Sequence, residues 1–285
     1  MTTPAGHPAT ATPEPTSGEA SLAALTRTAV GYLGLWFGLL TCGTLFLGWC
    51  GIAGLISPFM EKSQRRRIGR LGMHKIFAVF LRILHVFGIV KVDNSALLSL
   101  RHEPALILAP NHPSMIDVVL VISRLENVGC IMKADLWDNV FLGAGARMAD
   151  FIRNDSAQSM IRLAVRDLQR GSHLLIFPEA TRTVRAPMNK LAGGYALVAK
   201  KARAPIQTIL IETDSPYLRK GWPLFRLPPM PIKYSLRLGR RFEPRDDVDS
   251  LVAEMERYYI EELDRGNRAV EALSDAECPS IRRAA

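Results

Sequence analysis

The residues best suited to chemistry in this sequence are His112 and Asp117, which lie in the polar heptad NHPSMID between two apolar runs. On one continuous α-helix, residues five apart are separated by about 140°, so these two side chains would not face each other. Pro113 removes this obstacle, because proline disfavours helix at the residue before it and is tolerated in the first helical turn. We therefore expect His112 just outside a helix and Asp117 in its first turns, where imidazole and carboxylate can meet.

A histidine and a carboxylate in contact are suited to general base catalysis. The carboxylate fixes the tautomer of the ring and stabilises the imidazolium that forms when the other ring nitrogen takes a proton. The same spacing also fits a histidine that caps a helix or packs in a core. The spacing alone does not decide between these interpretations.

A second polar island, FPEATRT at residues 177–183, directly follows a predicted buried strand. Glu179 and Arg182 are three residues apart and would be neighbours on a helical turn after Pro178. The planar guanidinium of an arginine held at a strand end is suited to binding a phosphate. The alternative is an ordinary exposed ion pair, which contributes little to stability.

The elements that must position these side chains follow from the pattern of residues 93–265, where short β-type runs alternate with helical segments. This alternation predicts an α/β domain with a mixed sheet flanked by helices. Strands are predicted at residues 105–108, 129–132, 174–177, 206–211 and 234–238. Helices are predicted at residues 114–124, 156–170, 194–201 and 248–263.

The N-terminal part has a different character. Residues 1–26 are predicted to be a disordered tail, since they lack apolar periodicity and are rich in proline, threonine and alanine. Residues 27–92 are predicted to hold a membrane-embedded helical segment and interfacial helices, because residues 29–60 contain no charge and a span needs about 20 such residues. One long tilted span and a hairpin bent near residues 48–54 both fit, and the hairpin is preferred. Residues 76–90 fit either an interfacial helix or a core helix.

Cations follow the apolar segment directly, in the run KSQRRR at residues 62–67 and then at Arg70 and Lys75. Positive residues beside a membrane segment favour the cytoplasmic side and attract anionic headgroups. Residues 219–230 mix cations with large apolar side chains and fit either insertion among headgroups or packing on the sheet. Residues 266–285 show no pattern and are predicted to be a C-terminal tail.

The formal charge of +9 on 285 residues indicates an anionic partner. Nucleic acid is not expected, because the sequence has no zinc spacing, RNA-binding aromatic signature or basic heptad array. The four cysteines are widely dispersed and indicate neither a disulfide framework nor a metal site.

The two polar islands together resemble the glycerolipid acyltransferase family, specifically the bacterial 1-acylglycerol-3-phosphate acyltransferases. NHPSMID and, later in the chain, FPEATRT are similar to that family's signature blocks NHxxxxD and FPEGTRS/T. Lys133-Ala134-Asp135-Leu136 is similar to its KxEL block. The resemblance covers residues 75–240.

What the resemblance implies is acyl transfer from acyl-CoA or acyl carrier protein to the free hydroxyl of a lysophospholipid, most simply 1-acylglycerol-3-phosphate. It implies no cofactor and no metal, and a location in the bacterial inner membrane with the catalytic domain on the cytoplasmic face and membrane lipids as partners. His112 and Asp117 would be catalytic. The substrate-binding residues would be Asn111, Lys133, Arg153, Glu179, Thr181 and Arg182. No G-x-S-x-G elbow or reactive cysteine is evident, so direct transfer is expected.

Two positions depart from the family pattern. Ala180 stands where the family usually has glycine, and if the backbone there needs a positive φ, alanine costs on the order of 1 to 2 kcal/mol. The family's FIDR block reads FIRN here, which shifts the arginine to Arg153. Both changes leave open another lysolipid acceptor, such as lyso-ornithine lipid. A non-catalytic membrane scaffold with the same fold is the alternative of another class.

Overall fold

The computed structural model describes residues 17–139 and 143–277. Seven strands, numbered in chain order, are β1 Val90–Asp93, β2 Ile107–Pro110, β3 Val128–Lys133, β4 Ile152–Asn154, β5 His173–Leu175, β6 Ile206–Thr213 and β7 Ile232–Phe242. They form one sheet in the order β1-β7-β6-β2-β5-β3-β4. Neighbouring strands pair in parallel except β6 and β7, which pair antiparallel. The sheet is therefore mixed, as predicted.

The helices of the described residues are α1 Ser17–Ile56, α2 Lys62–Val86, α3 Asp117–Ile122, α4 Ala134–Asp138, α5 Gly143–Met148, α6 Ala157–Gln169, α7 Gly194–Ala202 and α8 Val248–Glu277. Side chains of the central strands alternate between two cores, as the pleat of a strand requires. In β2, Leu108 joins the core under α1, α2 and α3, whereas Ile107 and Ala109 join the core under α6, α7 and α8. The sheet is covered on both faces, which explains why its central strands are continuously apolar.

The five predicted strands all exist, and α6 shows why its ends were predictable. Its N-cap Ser156 accepts a hydrogen bond from the Ser159 N–H at 3.3 Å, and Gly171 follows its last turn at φ 80°. Sequence patterns missed β1, β4, α4 and α5, because runs of three to six residues carry too little periodicity.

Helix α3 begins at Asp117 rather than at residue 114. The Asp117 carboxylate accepts hydrogen bonds from both the backbone N–H and the hydroxyl of Ser114, which holds residues 114–116 as a turn. Asp117 is thus in the first turn of the helix, as expected.

The preferred hairpin is wrong, because α1 is one continuous helix of 40 residues. It stays helical through the glycine-containing stretch, where Cys50 and Ala53 are buried against the domain. The helix begins at Ser17, inside the tail predicted as disordered, and residues 1–16 lie outside the described part. At the other end, α8 continues to Glu277, so the predicted C-terminal tail is helical to that point and lies outside the described residues beyond it.

One face of α1 lies along the α/β domain. A Cβ atom on Gly31 would meet Leu227, and one on Gly54 would come within 3.7 Å of Ala144. The opposite face is apolar and exposed, with Leu25, Leu33, Trp36, Leu40, Leu47 and Leu55. By length and apolar composition, Ala24–Phe59 is the one candidate membrane span within the part of the chain that is described.

Helix α2 is a core helix over residues 76–86, where Phe77, Phe80 and Leu84 are buried. Arg70 is also buried and donates to both oxygens of Asp167, at 3.0 and 2.8 Å, while Arg66 donates to Asp167 at 3.1 Å. The prediction that this basic run faces lipid headgroups is therefore wrong for these two arginines, which tie α2 to α6.

Candidate active site

His112 and Asp117 are in contact at the end of the central strand β2. His112 Nδ1 lies 2.9 Å from Asp117 Oδ2, and the same carboxylate accepts the Ser114 N–H at 2.9 Å and its hydroxyl at 2.8 Å. Burial raises the pKa of the Asp117 carboxyl, and the hydrogen bonds from His112 and Ser114 oppose this shift. With Nδ1 donating to the carboxylate, Nε2 of a neutral ring is the nitrogen that can accept a proton.

Three further contacts hold His112, one to its ring and two to its backbone. The ring of Phe177 stacks on it, with centroids 3.8 Å apart and planes 19° apart. Glu179 Oε1 accepts the His112 backbone N–H at 2.9 Å, and the Thr183 N–H donates to the His112 carbonyl at 2.7 Å. The loop after β5 therefore fixes the ring plane and the backbone of His112 together.

The Glu179 carboxylate is hydrogen-bonded to the groups that hold His112 and the loop after β5 together. Its buried carboxylate accepts the Thr183 hydroxyl at 2.8 and 2.9 Å and the Asn189 N–H at 2.8 Å, besides the His112 N–H. No ion pair joins it to Arg182 among the described residues. The structure thus gives Glu179 a role in holding His112 that sequence reasoning missed, and its contact with substrate stays a prediction.

Asn111 also helps to hold the site together, and its predicted contact with substrate stays a prediction. Its side-chain amide donates to the Ile211 carbonyl at 3.0 Å, and its side-chain oxygen accepts the Ile211 N–H at 2.7 Å. Asn111 thereby continues the pairing of β2 with β6 by one residue. Thr181, by contrast, is exposed on the loop after β5.

The residues predicted to bind phosphate lie at different positions around the His112–Asp117 pair. Arg182 donates to the carbonyls of Leu218 at 2.9 Å and Arg219 at 3.3 Å, and within the described chain it has no carboxylate partner. Lys133 is exposed at the end of β3. The registers of β2 and β3 with β5 place Lys133 nearly level with His112, two strands or about 10 Å away.

Arg153 lies further out on the sheet than the other candidates. It lies on the edge strand β4, where its guanidinium bonds Asp138 at 2.7 Å and Asp155 at 2.8 Å. Three strand spacings separate β4 from β2 in the sheet. Arg153 is thus one strand further from His112 than Lys133 is, and its binding of substrate stays a prediction.

An apolar cavity of about 170 Å³ opens beside the pair, and sequence reasoning missed it. Its wall combines Gly34 and Gly38 of α1 with Leu84 of α2 and, close to the pair, Ile116 and Leu218. The only sequence signal was the Gly34–Gly38 spacing on α1, which is common in apolar helices. Tyr234 of β7 also lines the cavity, and burial raises the pKa of its hydroxyl.

The loop at residues 219–230 packs against α1 and extends its exposed apolar face. Phe225 stacks on Trp36 with ring centroids 5.2 Å apart, and both rings are more than half exposed. The Arg226 guanidinium lies over the Trp222 ring at 4.7 Å. Cations and large apolar side chains thus share one surface next to the cavity.

Comparison with known proteins adds independent information to this geometry. A family model described as Acyltransferase matches residues 90–212, a range that contains the His112–Asp117 pair and the loop after β5. This match supports the resemblance to the glycerolipid acyltransferases, and the protein is an acyltransferase.

Relatives of this acyltransferase include the 1-acyl-sn-glycerol-3-phosphate acyltransferases of Limnanthes douglasii and Limnanthes alba. Each is 26% identical over 251 residues, an alignment that covers 81% of this chain and 85% of the relative. The crystal structure of the 1-acyl-sn-glycerophosphate (LPA) acyltransferase PlsC from Thermotoga maritima superposes with a TM-score of 0.62 at 17% identity. It covers 85% of this chain and 97% of that one, which shows a shared fold.

Proposed function

We propose that this acyltransferase transfers a fatty acyl group from acyl-CoA or acyl carrier protein to the free hydroxyl of 1-acylglycerol-3-phosphate, which gives phosphatidic acid. The observation that carries the proposal is the His112–Asp117 contact of 2.9 Å beside an apolar cavity. The names of the relatives support the choice of acceptor. A fixed imidazole next to an apolar slot suits a lipid hydroxyl as nucleophile.

In the proposed reaction, His112 Nε2 takes the proton from the acceptor hydroxyl as its oxygen attacks the thioester carbon. A carbon–oxygen bond forms and the carbon–sulfur bond breaks, and the imidazolium returns the proton to the leaving thiolate. Asp117 stabilises the imidazolium between these two transfers. Protons and charges balance without a cofactor.

Arg182 and Lys133 are the proposed partners of the acceptor phosphate. The Arg182 charge has only carbonyl partners in the described residues, so it is available to an anion. Lys133 is exposed at the same edge of the sheet as His112. A guanidinium and an ammonium on either side of a site suit a dianionic phosphate better than a zwitterionic headgroup.

We further propose that α1 lies in the plane of one leaflet at the cytoplasmic face of the bacterial inner membrane. Its contacts with the domain extend from Gly31 to Gly54, a length of about 35 Å at 1.5 Å per residue. This length exceeds the hydrocarbon core of about 30 Å, so the helix cannot cross the core and keep those contacts. An exposed apolar face from Leu25 to Leu55 supports an in-plane anchor instead.

The central test measures turnover of purified protein with lysophosphatidate and either acyl-CoA or acyl carrier protein. Replacement of His112 by Ala, or of Asp117 by Asn, should lower kcat by about 10² to 10⁴, since positioned base catalysis supplies a factor of that size. His102, exposed on the surface, provides the matched control as His102→Ala.

Near wild-type turnover of His112→Ala would rule out the proposed base. Lyso-ornithine lipid should be assayed in parallel as acceptor. Faster acylation of that lipid than of lysophosphatidate would identify lyso-ornithine lipid as the acceptor. The proposed base-catalysed acyl transfer would be unchanged.

A further inference from the structure

The cavity beside the pair can hold one of two hydrocarbon chains in the proposed reaction: the chain already on the acceptor, or the chain being transferred. Its volume of about 170 Å³ is close to that of an engineered cavity of ~150 Å³ that binds benzene, so it can accept a segment of one chain. The inference that follows rests on the proposed function. It concerns which chain enters.

The cation beside the cavity distinguishes the two chains. Leu218 lines the cavity, its carbonyl accepts the Arg182 guanidinium at 2.9 Å, and the same carbonyl accepts the Met115 N–H at 3.1 Å. Ile116, also in the wall, directly precedes Asp117. The apolar slot, the Arg182 guanidinium and the catalytic pair therefore meet around the Leu218 carbonyl.

The two substrates space their phosphate and chain differently. In a lysophosphatidate, the phosphate, the reactive hydroxyl and the acylated oxygen sit on three adjacent glycerol carbons. In an acyl thioester, the whole pantetheine arm separates the acyl carbon from the first phosphate. A cation immediately beside an apolar slot matches the first arrangement.

We propose that this cavity binds the acyl chain that the lysophospholipid acceptor already carries, and that Gly34 and Gly38 of α1 determine how much of it enters. A Cβ on Gly34 would lie 3.5 Å from Met230 Sδ and 3.6 Å from Ile89, which is ordinary contact. A Cβ on Gly38 would lie 3.4 Å from Leu84. A larger side chain at either position fills the slot from the α1 side.

The test compares Gly34→Val with Gly43→Val, a matched control on the same helix where an added Cβ meets nothing within 4 Å. Each variant is assayed with short-chain and long-chain lysophosphatidates and, separately, with short-chain and long-chain acyl donors. For Gly34→Val, KM for long-chain acceptors should rise about fourfold for each methylene that is excluded. Short-chain acceptors, donor preference and the Gly43→Val enzyme should be unchanged.

A shift in donor chain preference with unchanged acceptor preference would assign the cavity to the transferred chain and overturn the inference. Equal behaviour of the two variants would overturn it as well. Binding of a 2-deoxy lysophosphatidate, which has no hydroxyl to acylate, gives a readout that is independent of turnover. Weaker binding of its long-chain form to Gly34→Val alone would support the inference even if lysophosphatidate proved not to be acylated.

Discussion

Ala180 sits in the left-handed backbone region, at φ 55°, in the middle of the loop that holds His112. The sequence marked this position because the related family usually has glycine there, and the structure shows the positive φ that glycine would adopt without strain. An alanine here is strained by its own Cβ. The loop keeps this conformation because Glu179 and Thr183 on either side of Ala180 are bonded to the backbone of His112.

Replacing Ala180 by Gly should therefore stabilise the folded protein. The relief of about 1 to 2 kcal/mol exceeds the added entropy of the unfolded chain, which leaves a net gain of about 0.5 to 1 kcal/mol in the free energy of unfolding. Chemical denaturation in detergent measures the change. Gly171→Ala is the reverse control, since Gly171 has φ 80° and open space around it, and it should lose about 1 kcal/mol. A loss of stability in Ala180→Gly would contradict the strain argument.

Residue roles were predictable from the sequence only where the partners are close in the chain. The His112–Asp117 contact spans five residues, and both Pro113 and the NHxxxxD resemblance indicated it. Asn111 and Glu179 were identified as site residues, but their hydrogen-bond partners within the protein were not predicted. Their partners, Ile211 and His112, lie 100 and 67 residues away, and no local pattern reports such pairings.

Among the elements, α2 and α6 are joined by the buried ion pair between Arg70 and Asp167. Burial lowers the pKa of the Arg70 guanidinium, and the Asp167 charge opposes that shift. Arg70 also donates to the Ala149 carbonyl and the Ser172 hydroxyl, so one side chain bonds segments around α5, α6 and β5.

Removing one partner of this pair should be more harmful than removing both. Arg70→Met leaves the Asp167 carboxylate buried with only Arg66, which should cost about 3 to 5 kcal/mol of folding free energy. The double variant Arg70→Met, Asp167→Leu should recover most of that loss, because no buried charge remains unpaired. Denaturant unfolding of the three proteins gives the comparison. A double variant less stable than the single one would argue that the charges themselves stabilise the fold.

His173 makes the stability of β5 depend on pH. Its Nδ1 accepts the Leu106 N–H at 3.2 Å and its Nε2 lies 3.0 Å from the Leu100 carbonyl, an arrangement that requires the neutral ring. Burial lowers the pKa of His173 in the folded protein. The stabilisation of the fold by neutral His173 is therefore complete above the unfolded pKa of about 6.5 and is lost as the pH falls below it.

We expect the free energy of unfolding to fall by up to about 1 kcal/mol more in the wild type than in His173→Gln between about pH 7 and pH 5.5. Glutamine can keep one donor and one acceptor without titrating. Denaturation at both pH values measures the difference. Parallel pH profiles of the two proteins would remove His173 as the titrating group.

At the scale of the whole molecule, α1 runs beside the α/β domain instead of standing apart from it. The sequence showed the apolar run but not its packing. A glycine-containing apolar stretch fits a continuous helix as well as a hairpin bend, so composition could not distinguish the two. What decides is that Leu35, Cys50 and Ala53 find buried positions on the domain. Such contacts are a property of tertiary structure.

An in-plane α1 predicts equal membrane depth along the helix. Spin labels on single cysteines at Leu25, Leu33, Leu40, Leu47 and Leu55, with the native cysteines replaced by alanine, should all report a similar shallow depth in vesicles. A label at Asp249 of α8 is the aqueous control. A depth that reaches the bilayer centre near Leu40 and returns toward water at both ends would instead establish a transmembrane helix.

Because α1 forms one side of the cavity, the proposed membrane anchor also forms a wall of the proposed chain-binding cavity. Truncation of the chain to its α/β domain would remove α1 and leave the cavity open on the side of Gly34 and Gly38. Such a truncated protein could keep the His112–Asp117 contact and still differ from the intact enzyme in its selectivity for lipids.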